Sequence, residues 1–133
     1  MNASDGLKYL RIALVVVGVA FIVGIYTLII FWPSGWAWGP GIHHYLQMIL
    51  GVYATLGVFL LIASRDPLRH LSLIWFTVWS SVVHALIMGA QALAHPEFRG
   101  HLYGDVPVLF VFAFVLAVLT PRGAAATATG AGR

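Results

Sequence analysis

Four long apolar runs, each almost free of charge, constrain this chain more than any other feature. About 20 consecutive apolar residues cross a bilayer as a helix, and a lipid-exposed backbone has to satisfy its own hydrogen bonds. Only 8% of the 133 residues are charged, against about 25% in a typical soluble domain. The sequence therefore predicts an all-α, integral membrane four-helix bundle. Residues 1–122 form its single domain, with spans at about 8–32, 42–63, 67–95 and 102–120.

The ends of the runs carry the expected boundary residues. Pro33 follows the first run, and Pro96 follows His95 at the end of the third. A proline cannot continue a helix, and it pushes the residue before it out of the α region. The last stretch, 123–133, contains mainly Gly, Ala and Thr and predicts a disordered tail, because it has almost nothing to bury.

The basic residues predict the orientation of the bundle. Six of the seven fall at the N-terminus, in the second connection or at the C-terminus, and only Arg99 falls in another connection. By the positive-inside rule, this places the protein in the cytoplasmic (inner) membrane as a multi-pass protein with both termini cytoplasmic. Scattered basic residues do not form a nucleic-acid surface, so no nucleic-acid partner is expected. The chain has no cysteine, which excludes disulfides and thiolate metal sites.

Polar side chains gather at the ends of the runs that this topology places outside. Helical spacing puts three of them on one face of the third span and two on one face of the second, while His101 and Asp105 are four residues apart and can pair if helical. The candidate ligand-binding residues are His44, Gln47, His84, Gln91, His95, His101 and Asp105. The adjacent His43 points about 100° away from His44 on a helix.

His84 differs from the others because it lies about halfway along the third span. An ionisable side chain at mid-membrane is costly and is a functional hypothesis by default. We predict that His84 is neutral, faces the bundle interior and lies within hydrogen-bonding reach of Tyr53 or Thr55 in the second span. Its side chain could equally stabilise the packing of two helices through a hydrogen bond, with no role in function.

The chemistry of this polar group stays open at the level of sequence. Histidines at a membrane interface are often amphipathic residues with hydrated tips. Imidazoles with a carboxylate also suit a transition metal, two axial histidines could hold a haem, and a quinone could hydrogen-bond to Gln and His among the tryptophans. No helix carries a His-x-x-x-His chelate, so a metal would need ligands from separate helices. The cofactor is therefore unknown, and no residue is assigned a catalytic role.

Several strings resemble a known family: "FWPSGWAWGPG", "YATLGVFLLIASRDPL", "HLSLIWFTVWSSVVHALIM" and "GHLYGDVP". Over about residues 7–122 they are similar to the BphX-like proteins, small bacterial four-span membrane proteins of unknown function. The resemblance implies association with genes for the breakdown of aromatic compounds, and it brings no assigned catalytic residue.

Together these observations predict a non-catalytic accessory or interaction protein rather than an enzyme. Its partners would be the lipid bilayer and a protein partner or a second copy of the chain. The alternative is a His-lined site for a cofactor, metal, quinone or other small molecule in the outer half of the bundle.

Overall fold

The structure, a computed structural model, describes residues 3–39 and 44–121. His43 and the tail predicted to be disordered at 123–133 lie outside the described residues. In the described ranges the chain is helical, with turns between the helices and no strand.

Four helical segments are long and apolar enough to cross a membrane: Ser4–Phe31, His44–Ala63, Pro67–Ala94 and Pro96–Leu119. We call them spans 1 to 4. The all-α class and the four apolar helices are thus confirmed. Which membrane they cross, and on which side the termini lie, stay predictions.

Two of the spans are interrupted. Span 1 consists of the α-helices Ala3–Val19 and Ile25–Phe31 with a π-helical turn, Ala20–Gly24, between them. Span 4 begins as the 3₁₀ helix Pro96–Leu102 and becomes α-helical only at Asp105–Leu119. The sequence predicted a helical start near His101, and the local conformation there is a 3₁₀ helix followed by a turn.

The remaining helices follow the boundary signals of the sequence. Span 2 is the single α-helix His44–Ala63, and span 3 joins the 3₁₀ helix Pro67–His70 to the α-helix Leu71–Ala94. Span 3 ends where Pro96 predicts, because His95 has an extended backbone. After span 1, the short helix Pro33–Trp36 starts with proline at its first position, where no donor is needed.

The spans pack in the spatial order second, first, fourth, third, so span 2 and span 3 lie at the two ends of the series. Buried Leu10, Leu14, Leu60, Ile74 and Leu116 contribute to one continuous core. Large apolar side chains such as Phe31, Met48 and Phe114 are exposed, as expected for helices surrounded by lipid.

The connection after span 1 packs on the start of span 4 at one end of the bundle. A Cβ added at Gly100 would overlap the carbonyl oxygen of Ser34, and one added at Gly104 would overlap that of Gly35. Only glycine permits such a close backbone approach. We call residues 33–39 and 96–104 the cap. The cap joins "FWPSGWAWGPG" to "GHLYGDVP", two strings that are distant in the sequence.

Candidate functional site

A cavity of about 380 Å³ lies between spans 2 and 3, beneath the cap. Most of its wall is apolar, with Leu46, Ile49 and Leu50 from span 2 and Ile87 and Met88 from span 3. Ile25, Ile29 and Leu109 of spans 1 and 4 also line it. Because spans 2 and 3 hardly touch each other, the space between them is not filled by helix packing.

The polar side chains in the cavity wall come from the cap and from three spans. They are Trp36, Trp38, Tyr45, Tyr53, His84, Gln91 and Asp105. Such a wall, largely apolar with a few polar groups, is typical of small-molecule sites.

Tyr53 and His84 connect span 2 to span 3 across the cavity. The Tyr53 hydroxyl lies 3.0 Å from Nδ1 of His84, and the two rings meet edge to face with their centroids 5.6 Å apart. Phe21, in the π-helical turn of span 1, also packs edge to face with the Tyr53 ring, with the centroids 4.9 Å apart. The predicted contact of His84 with Tyr53 is therefore present. Thr55 donates instead to the carbonyl of Gly51 in its own helix.

A second polar pair, His101 and Asp105, lies where the cap meets the cavity. Nδ1 of His101 is 2.8 Å from Oδ2 of Asp105, and both side chains are buried. The Trp38 indole stacks on the His101 ring with a centroid distance of 4.0 Å, and its Nε1–H donates to the same Oδ2 at 3.3 Å. The predicted pairing across four residues is therefore present, although the segment between them is not α-helical.

The hydrogen bonds of His101 limit how this pair can be protonated. Nε2 lies 3.3 Å from the carbonyl oxygen of Ala37, which can only accept, so Nε2 carries a proton. Nδ1 then either donates to an Asp105 carboxylate as imidazolium or accepts from the protonated acid. The pair has no net charge in either case, which is what a site of low dielectric favours.

Two buried polar atoms in the cavity wall have no hydrogen-bond partner among the described residues: Nε1 of Trp36 and Oδ1 of Asp105. The backbone N–H of Val106 lies near the Asp105 carboxyl group. Among the described residues, however, no donor meets the distance and angle of a hydrogen bond to Oδ1. The two residues are only 7% and 5% exposed. An unpaired buried polar group costs about 1–3 kcal/mol, and these two atoms present almost no accessible surface.

The candidate residues do not all meet in this site. His84, Gln91 and Asp105 line the cavity, and His101 is buried behind Asp105. His44 and Gln47 are exposed on span 2 and do not line the cavity. Span 2 is rotated so that Leu46, Leu50 and Tyr53 face inward, and the polar stripe predicted to face the interior lies outside.

His95 also lies away from the cavity. Its side chain is exposed, and its Nδ1 is 3.8 Å from an oxygen of Glu97, which is exposed as well. Such a pair contributes little because water screens it. Within residues 3–39 and 44–121, no group of three or more His, Asp or Glu side chains is arranged to hold a metal ion.

Trp36 lines the cavity but was not among the candidate residues chosen from the sequence. Trp36 is buried and forms part of the cavity wall, whereas Tyr103 is highly exposed. The glycines at positions 35, 100 and 104 were the available signal, because they allow the cap to fold tightly enough to bury Trp36.

The fold and the site define a small helical protein with four helices long and apolar enough to span a membrane and a cavity beneath a cap. Its sequence matches DUF6632, a family of unknown function, over residues 4–133, and the chain belongs to that family. No curated protein and no solved structure matches the chain. The match carries no BphX-like name, so that kinship and a bacterial origin stay predictions.

Proposed function

We propose that the protein binds a small, mainly apolar molecule in the cavity between spans 2 and 3. The observation that carries the proposal is the cavity itself, with its volume of about 380 Å³ and its few polar groups. Sites for small organic ligands have about 300–1,000 Å³ and a similar distribution of apolar and polar groups.

The surroundings of the cavity support entry from the bilayer. Spans 2 and 3 make few contacts with each other, and the exposed side chains at the cavity margin include Tyr45, Ile49 and Ile87. A margin of this kind admits a molecule dissolved in lipid without carrying it through water. The cap closes the end of the bundle with buried His101 and the stacked Trp38.

This proposal corresponds to the small-molecule alternative rather than to the accessory or interaction protein. We propose that the cavity binds its ligand without catalysing a reaction. A protein partner or a homo-oligomer would need an interface on one of the exposed apolar faces. Both stay predictions, as does kinship with the BphX-like proteins.

A cavity-filling substitution tests the proposal. Leu50→Trp places an indole in the cavity, whereas Val52→Trp, on the same helix and 69% exposed, leaves the cavity unchanged. Para-hexylphenol serves as the probe, because it has an apolar body and one polar group. Its binding to the protein in lipid nanodiscs is measured by equilibrium dialysis against protein-free nanodiscs.

We expect saturable binding to the unchanged protein and to Val52→Trp, and at least about a tenfold loss of affinity for Leu50→Trp, equal to about 1.4 kcal/mol. Thermal unfolding of both variants checks that they fold. Equal binding by all three proteins, or uptake no greater than that of empty nanodiscs, would contradict the proposal.

A further inference from the structure

His84 offers a ligand in the cavity an accessible hydrogen-bonding atom. Its Nδ1 is engaged by the Tyr53 hydroxyl at 3.0 Å, whereas Nε2 of the same ring has no hydrogen-bond partner among the described residues. In that part of the chain, the fully buried side-chain atoms without a partner belong to Trp36 and Asp105. Nε2 of the half-buried His84 therefore keeps accessible surface. Because His84 and Tyr53 both line the cavity, a ligand between spans 2 and 3 can contact this ring.

The position of one proton decides what Nε2 can bind. An imidazolium in the middle of a span would be costly, so the His84 ring is neutral and has one donor nitrogen and one acceptor nitrogen. If the Tyr53 hydroxyl donates to Nδ1, Nε2 carries the proton and donates. If Nδ1–H donates to the Tyr53 oxygen, Nε2 accepts. Both arrangements keep the contact between the two side chains, so His84 can present either a donor or an acceptor to a ligand.

An apolar part of the wall extends from this pair toward the cap. On span 3, Gln91 lies seven residues beyond His84, about 10 Å along the helix axis. On span 2, Tyr45 lies eight residues before Tyr53, about 12 Å along the axis. The side chains between these two levels are apolar, as at Leu50. A ligand with its polar group at His84 would therefore have room for an apolar body roughly 10 Å long.

We propose that His84 anchors an uncharged apolar ligand through a carbonyl or hydroxyl oxygen, and that the cavity binds the ketone and the alcohol form of one molecule alike. A carbonyl oxygen accepts from Nε2–H, and a hydroxyl can bond to Nε2 in either arrangement of the proton. This inference rests on the proposed function, because it specifies the molecule bound in the same cavity. Quinones and quinols are membrane-soluble molecules of this class.

The same wall disfavours charged ligands. Among the described residues, the lining side chains include no lysine or arginine, so a carboxylate would have no such cation to pair with. The acid of the wall, Asp105, is already paired with His101 at 2.8 Å. A protonated amine would therefore also lack a counter-ion, and burying an unpaired charge is costly.

Three probes with one carbon skeleton isolate the effect of the oxygen atom. They are para-hexylacetophenone, the alcohol obtained by reducing its carbonyl group, and para-hexylethylbenzene, which lacks the oxygen. Their dissociation constants are measured by equilibrium dialysis of the protein in phosphatidylcholine nanodiscs, each corrected for uptake by protein-free nanodiscs. The amine with the same skeleton, which is protonated at neutral pH, tests a charged group in the same position.

We expect the ketone and the alcohol to bind with dissociation constants within about threefold of each other, because His84 can bond to either. Each should bind about fivefold or more tightly than the hydrocarbon, since a neutral hydrogen bond contributes about that much. The amine should bind more weakly than both oxygen-bearing probes.

Substitutions of single histidines test whether this preference for oxygen depends on His84. His84→Leu should lower the affinities of the ketone and the alcohol to that of the hydrocarbon, whose own affinity should change by less than about twofold. His84→Gln keeps a neutral side chain with a donor and an acceptor and should retain the preference. His95→Leu, which replaces an exposed histidine outside the cavity wall, is the matched control and should behave like the unchanged protein.

The outcomes distinguish this inference from the proposed function. Equal saturable binding of ketone, alcohol and hydrocarbon would overturn the inference and leave the apolar site standing. A larger difference between ketone and alcohol, or tighter binding of the amine, would also overturn it. So would survival of the preference in His84→Leu or its loss in His84→Gln. Failure of every probe to bind would remove both proposals. If His84→Leu does not fold, His84→Phe takes its place.

Discussion

Span 2 meets its two neighbours in opposite ways. Against span 1, the backbones themselves touch, because a Cβ at Gly57 would lie 2.5 Å from the carbonyl oxygen of Gly18, and one at Gly18 would lie 2.9 Å from that of Gly57. Against span 3, the helices come close at few points, and the Tyr53 hydroxyl reaches Nδ1 of His84 across the gap. Small residues bring helices together, and long side chains hold them apart. One contact is therefore closed, and the other encloses a cavity.

The close packing of span 2 on span 1 stabilises the position of span 2 beside the cavity. Span 2 is fixed along span 1, next to the π-helical turn Ala20–Gly24, whose Phe21 packs against Tyr53. Such turns are frequent at functional sites because they re-aim the side chains of a helix. A ligand that enters between spans 2 and 3 would therefore contact a face of span 2 that is held in place by span 1.

The largest effect should come from breaking the closed contact. Gly57→Ala puts a methyl group against a backbone oxygen that cannot rotate away, so we expect the free energy of unfolding to fall by about 2–3 kcal/mol. Gly51→Ala, in the same helix with no atom near the added methyl group, should change it by less than about 1 kcal/mol. Denaturant unfolding in mild detergent measures both. Equal stability of the two variants would contradict the backbone contact.

A smaller effect should follow from removing the contact across the open side. Hydrogen bonds between membrane helices average about 0.6 kcal/mol in double-mutant cycles. Tyr53→Phe, His84→Leu and the double variant should therefore give a coupling energy of that size, with each single variant costing about 1 kcal/mol or less. A coupling indistinguishable from zero would mean that the contact does not stabilise the fold.

The same cycle separates packing from ligand binding at His84. If His84 only joins the helices, binding of para-hexylphenol should change no more than stability does. Tyr9→Phe, an exposed tyrosine of span 1 that does not line the cavity, is the control. A large loss of probe affinity in His84→Leu, with stability nearly unchanged, would make His84 a ligand contact.

The sequence predicted the features that depend on the depth of a residue in the membrane or on a short separation along the chain. The four spans follow from apolar length, the Tyr53–His84 contact from equal depth in the membrane, and the His101–Asp105 pair from a separation of four residues. The rotation of span 2 about its own axis was not predictable, because its apolar residues surround the helix and no amphipathic face orients it. His44 and Gln47 were therefore placed inside although they lie outside.

The cap and the spatial order of the spans were also beyond sequence reasoning. Span 2 does not pack closely on span 3, its neighbour in the chain, and it packs on span 1 instead. The decisive contacts join residues far apart in sequence, such as Gly35 with Gly104 and Trp38 with His101. Single glycines and tryptophans carry no information about such partners until the chain is folded.

The smallest effect should come from the two histidines that the sequence placed in the site and the structure places outside the cavity. His44 is exposed at the start of span 2, and His95 is exposed beside Glu97. Replacing both with alanine removes the exposed His95–Glu97 contact, which is worth about 0–1 kcal/mol at most, and changes no residue of the cavity wall. We therefore expect the affinity for para-hexylphenol to stay within about twofold, a change of roughly 0.4 kcal/mol, in the dialysis measurement. If the double variant loses the probe as completely as Leu50→Trp does, the binding site lies at the polar surface of the bundle and not between spans 2 and 3.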